Sequence, residues 1–223
     1  MDKLTMDFKK SLFENGKDSI KEYLELGIDS FIEDGALKEI PIVSSIVSVL
    51  KIGKNVHDRN LLNQTLQFLN EFNDGSINVD KLMKYKATIE HNPKKCQEEL
   101  ERVVLLLNNN IDGEKSVILA KLFKAYINEE INWIEFCEFS EILNRLFIQD
   151  LKLLNLIYQG TVSDTTDRDD LYRVERLNSL GIIGLSFKSS KISSINGIMQ
   201  ENRQDSYLAM NIHGKKFMSI ISK

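Results

Sequence analysis

Helix breakers are almost missing from this chain, which has two prolines and eleven glycines in 223 residues. Proline costs a helix interior about 3 kcal/mol and glycine about 1, whereas a sheet-rich chain uses both at its many turns. The scarcity argues for long helices, and Leu, Ile, Lys, Glu and Asn take up the room. Cysteine is as rare. Cys96 and Cys137 lie far apart on apolar helical backgrounds. That is too few for a secreted disulfide scaffold of this length, and neither has a cation at helical spacing to stabilise a thiolate. Both read as buried free thiols.

Chemistry-bearing patterns are equally scarce. The three histidines are His57, His91 and His213. None lies in a nucleophile motif, and no Cys/His pair has zinc-ligand spacing. His213, just before Gly214 where a helix begins, reads as a cap. Gly53 is alone, so no phosphate cradle forms around Lys54 and Asn55. The acidic stretch Asp164–Asp170 lacks the alternating ligands and central glycine of a calcium loop. Glu98–Glu99 and Glu129–Glu130 are neighbours in sequence and point to different helix faces. The expectation is a non-enzyme with no metal, no cofactor and no small-molecule substrate; an enzyme without a compact motif stays as a competing reading.

No apolar run reaches eighteen residues, so no ordinary membrane-spanning helix is expected. The N-terminal MDKLTMDFKKSLFENGKDS is charged throughout and has no secretory core, which predicts a cytoplasmic protein. A net charge of -4 lacks the basic excess of a typical duplex binder. Hydrophobic residues at 42% and mixed charges at 28% give a core and a solvated surface rather than disorder.

What is present is helical periodicity. The spacing predicts a first helix over residues 3–26 and a short turn of helix over 28–33. Further helices are predicted over 60–72, 79–90 (Leu82, Met83, Tyr85, Ile89), 93–107, 114–127, 133–147 and 148–158. Asn92-Pro93 is a cap followed by a first-turn proline, and Asp112 is expected to cap the helix after it. Simple heptads do not persist and no repeat recurs, so a multi-helix bundle over 1–147 is the expected architecture.

The segment 36–59, ALKEIPIVSSIVSVLKIGKNVHDR, is the least ordinary. As a helix it carries a narrow polar stripe of Ser44, Ser48, Lys51 and Asn55. Ile42, Val43, Ile46, Val47, Val49 and Leu50 cover the rest of its circumference. Such a helix is buried in a core or in lipid, and thirteen residues from Ile40 to Ile52 are too few to cross a bilayer. Two readings stand: a core helix threading the bundle, or a segment that leaves the fold to meet a membrane or a partner.

The last third changes character. A helix over 171–180 ends at Gly181, strand-like runs follow at 182–187 and 206–212, and a helix closes the chain over 213–221. Between the strands lies a polar stretch expected to be mobile. This order predicts a small winged-helix-like α+β module over 148–223, with a glycine turn leading into the last helix, so the fold class is mainly α with that module appended. From residue 165 onward nine basic residues face six acidic ones. Arg173, Arg176, Lys188 and Lys191 are the candidate nucleic-acid contacts, with the two arginines expected to point outward. Asp167, Asp169 and Asp170 crowd the N-terminal edge of that helix, where a reader helix meets DNA and carboxylates repel phosphate. Packing or protein binding therefore ranks ahead of DNA.

Several strings are familiar together: IPIV leading to His57-Asp58-Arg59, LAKLFKAYI, FSEILNRL with DLKLLNLIY, RLNSLGII and YLAMNIHGKKFMSII. The layout resembles the bacterial abortive-infection alpha proteins and related families of phages and mobile elements, most closely over 115–223. The resemblance carries no catalytic motif and transfers no site residues. It implies a role in phage–host conflict, most simply as an antiviral defence component that halts an infected cell. The expected action is through a protein partner, self-association or a membrane surface, with the Ile40–Ile52 helix delivered to a membrane or partner on activation. A DNA-binding transcriptional regulator and a phage-encoded counter-defence protein are the alternatives.

Overall fold

A computed structural model describes residues 3–13, 20–21, 24, 40–49, 56–164, 170–187, 193–195, 198–200 and 206–223. Among these the protein is mainly helical with small antiparallel strand pairs. The contacts divide it into an N-terminal unit, Met1–Asn144, and a C-terminal unit, Arg145–Lys223.

In the N-terminal unit, α1 (Lys3–Phe13) packs on α2 (Pro41–Val49), on α3 (Val56–Phe72) and on α5 (Pro93–Asn109). Helix α3 lies along α6 (Gly113–Ile127), and α4 (Val79–His91) meets α5 and α6. The unit ends with α7 (Trp133–Arg145), which runs one residue past its boundary. Phe123 of α6 is the hub of the core. Its ring touches Phe68, Phe72, Tyr85, Tyr126 and Phe136 at centroid separations of 5.5–6.1 Å. Such tilted and edge-on ring pairs stabilise beyond the area they bury.

Local chemistry fixes the helix ends. Asn78 and Asn92 accept from Lys81 N and Lys95 N and so cap α4 and α5, and Pro93 stands in the first turn. Asp112 stands at the cap position of α6, as expected, but its side chain makes no capping bond there. Asn132 and Glu135 bond each other's backbone N–H groups at 3.0 and 2.9 Å, a reciprocal capping box that starts α7. Met83, expected on an apolar face, is exposed, as is Ile134, and Phe139 is buried on α7. Beyond Phe13 the expected first helix is described only at Ile20, Lys21 and Leu24, all helical; the expected turn at 28–33 lies outside the described residues.

In the C-terminal unit a 3-10 turn (Ile148–Asp150) leads into α8 (Leu151–Tyr158), so the helix expected from 148 begins in a tighter form. Helix α9 (Leu171–Ser179) is followed by Gly181, whose φ of 72° suits glycine. Strand β1 (Ile183–Phe187) pairs antiparallel with β4 (Ser206–Met210), Leu185 opposite Leu208. Between them β2 (Ser193–Ile195) pairs with β3 (Ile198–Gln200), so the stretch expected to be polar and mobile contains a strand pair. Helix α8 packs on β4 and on α10 (Ile212–Ile221), and α9 on β1.

Two expectations at the start of α10 need correction. The cap is Asn211, which accepts from Gly214 N at 2.8 Å and donates to the Gly181 carbonyl at 2.7 Å; His213 lies inside the helix. Gly214 is likewise helical rather than part of a turn. A Cβ there would stand 2.0 Å from the Ile182 carbonyl oxygen, so close approach of backbone, not a positive φ, demands glycine.

Candidate functional site

The α2 segment offers the first candidate. Ile42, Val43 and Ile46 are buried. Val47 and Val49 belong to α2, but their side chains lie outside the described residues, as does Leu50. Pro41 opens the helix without an N–H to lose. The next donor, Ile42 N–H, bonds the Ser11 hydroxyl of α1 at 3.0 Å, and that hydroxyl donates to the Asp7 carbonyl at 2.9 Å. The Ser45 hydroxyl donates to the Asp7 carboxylate. One orphan donor of the helix end is thus satisfied by a neighbouring helix. Three buried aliphatic side chains contribute roughly 5–9 kcal/mol. That is comparable with the whole stability of a domain, so α2 is a core element held at both polar and apolar contacts.

The second candidate was not legible as a site. Glu99 is buried on α5 and accepts from Tyr85 Oη at 2.9 Å and Tyr126 Oη at 2.8 Å, with Lys95 Nζ 3.5 Å away. Burial, reinforced by the Glu99 charge and hydrogen bonds, pushes both phenols well above their ordinary range. They therefore stay protonated and serve as donors. Glu98 beside it is exposed, so the adjacent pair does divide between faces, but the inward member is anchored. Three depressions of about 390, 540 and 160 Å³ adjoin this centre and share Lys95. Trp133 lines the two larger ones.

The third candidate lies in the C-terminal unit. Asp150 is fully buried. Its Oδ1 accepts from Arg173 Nε and Arg176 Nη2, both at 2.8 Å, and its Oδ2 from Arg176 Nε at 2.6 Å. Arg173 also donates to the Gln149 carbonyl and stands 3.6 Å from Asp170. Burial pushes the Asp150 carboxyl up, but the hydrogen bonds and charges of Arg176 and Arg173 outweigh it and hold the group below its ordinary value. The expected outward direction of both arginines is therefore corrected: they turn onto Asp150. The Arg176 guanidinium also sits over the Phe147 ring at 4.5 Å and the Tyr172 ring at 5.5 Å. Phe147 is 55% exposed and Tyr172 62%, so two rings held by one cation face solvent. Lys188 and Lys191 lie outside the described residues.

Burial pushes both cysteine thiols up; Cys96 is buried and Cys137 half-buried. Among the described residues no group of three or more His, Cys, Asp or Glu is placed to hold a metal ion, and no helix is long and apolar enough to cross a membrane. No protein-family model, curated protein or solved structure matches the chain.

Proposed function

We propose that this chain is a non-enzymatic, cytoplasmic protein of phage–host conflict, in the manner of the abortive-infection alpha proteins it resembles, and that it acts by binding protein through its C-terminal unit. We read that unit as winged-helix-like. In support, two helices precede an antiparallel β1–β4 pair, a short strand pair lies between those strands, and a helix follows.

The observation that carries the protein-binding reading is the arginine clasp on Asp150. A reader helix needs free guanidiniums for phosphate and base edges. Here Arg176 spends its Nε–Nη2 edge on one carboxylate and Arg173 is divided among Asp150, Gln149 and Asp170. What faces outward instead is aromatic: Phe147 and Tyr172, braced by a guanidinium. Rigid rings beside an arginine are the composition of protein-interface hot spots. Exposure of α2 to a membrane is the weaker reading, because it forfeits the α1–α2 packing and hydrogen bonds.

The test is phage challenge of bacteria expressing the full chain or the Phe147→Ser/Tyr172→Ser variant. Reduced phage yield with the parent chain, lost in a variant that remains folded, is expected. An increased phage yield would instead mark a counter-defence protein. Equal potency of parent and variant would overturn the role of this surface.

A further inference from the structure

We propose that the depression at the junction of α6 and α7 is a docking site for a basic segment of a protein partner, with an arginine or lysine side chain laid against Tyr126 and Trp133. The site lies in the N-terminal unit and does not depend on the surface invoked above. Its volume is about 540 Å³, room for one long side chain and its backbone. The wall is aromatic: Tyr126 and Trp133 have ring centroids 5.3 Å apart, and Trp133 is stacked on Phe136 at 5.0 Å and 19°. Rings backed by a packed core are fixed platforms. A cation over such faces is attracted by their quadrupoles.

Charge selects the occupant. Glu129, Glu130 and Glu135 line the depression with Lys95, and Lys84 and Lys81 stand against Glu129 at 2.6 and 3.8 Å. An anionic ligand would meet the Glu130 and Glu135 carboxylates, whereas a guanidinium or ammonium meets complementary charge beside the rings. The glutamates are held by the backbone around them. Glu129 N–H bonds the Tyr126 carbonyl at 3.0 Å and Glu130 N–H the Ala125 carbonyl at 2.9 Å. These two bonds are the Schellman closure of a helix C-terminus. Glu135 is fixed by its bond from Asn132 N–H.

This geometry also separates binding from folding. Glu129 has φ 58°, at the helix-end position where glycine is the usual residue. Its side chain is exposed and paired with Lys84 at 2.6 Å, an interaction that contributes little at a surface. Glycine there therefore relieves the backbone while removing a carboxylate.

The experiment titrates the full-length chain with hexa-arginine and reads the fluorescence of Trp133, the only tryptophan. The expected result is a saturable change that weakens as salt rises and is not produced by hexa-glutamate. Glu129→Gly, and separately Glu130→Gln/Glu135→Gln, should weaken binding at least tenfold, with an unchanged or higher melting temperature for Glu129→Gly. Glu114→Gln, at the far end of α6, removes the same charge and should leave binding unchanged. No fluorescence change, equal binding by the depression variants, or equal loss with Glu114→Gln would overturn the proposal. It can fail while the phage-challenge result stands, and the reverse.

Discussion

At the scale of single residues, a buried Asp150 carboxylate is stable only because two guanidiniums meet it. Removing one partner of a buried pair leaves an uncompensated charge, at about 3–5 kcal/mol when both are dry. Arg173 and Arg176 keep exposed edges, so Asp150→Asn should cost the C-terminal unit less, about 2–3 kcal/mol at neutral pH. The Asp150 carboxyl is held below its ordinary value in the fold. Its contribution is therefore present above the unfolded value of about 3.9 and is lost as pH falls through the folded value. Denaturation of parent and variant from pH 7 to 2 should show the gap narrowing below about pH 4; a gap that widens on acidification would contradict this account. Gly214 is the other decisive residue. Gly214→Ala forces the Ile182 carbonyl aside and should destabilise the same unit by about 1–3 kcal/mol, read as a lower melting temperature.

Asp150 and Glu99 also show where residue-level reading ran short. Glu99 falls on the stripe of Cys96, Leu100, Val103, Val104 and Leu107, and Asp150 on that of Leu146, Leu153, Leu154 and Ile157, all buried. A carboxylate on a buried stripe was the available signal. Its meaning was hidden because the partners come from other helices: Tyr85 and Tyr126 for Glu99, Arg173 and Arg176 for Asp150.

At the scale of elements, local signals worked where the cause is local. Pro41, Asn92-Pro93 and Gly181 mark helix ends because missing donors, side-chain caps and positive φ act within one turn. The strand pair β2–β3 was missed because serine-rich sequence reads as loop. The Asn196-Gly197 dipeptide between its strands, a strong hairpin signal, was the clue. In α2 the stripe of Ser44 and Ser48 drew attention, while Ser45 bonds Asp7 across to α1. That contact depends on how two helices pack, which periodicity within one helix does not carry. Ser45→Ala removes a donor from the Asp7 carboxylate, which Lys10 also approaches at 3.5 Å, and should lower the stability of the N-terminal unit by about 1–3 kcal/mol. Urea denaturation checks it, and near-zero coupling with Asp7→Asn in a double-mutant cycle would show that the pair does not hold α2 to α1.

At the scale of the molecule, two units carry different surfaces. The helical unit buries Ile42, Val43 and Ile46 of α2 and holds a hollow lined by glutamates and aromatic rings. The C-terminal unit spends Arg173 and Arg176 on the buried Asp150 and leaves the Phe147 and Tyr172 rings outside. The mainly helical class was legible because breaker scarcity and period are properties of the whole chain. The use of the arginines was not, since charge counts do not say which cations are already paired. The most direct measurement is a mobility shift of duplex DNA by the full chain across a salt series. Binding through protein contacts predicts no retention at physiological salt. Retention that weakens linearly on a logarithmic salt axis, as phosphate contacts require, and that is lost in Arg173→Ala/Arg176→Ala, would contradict it.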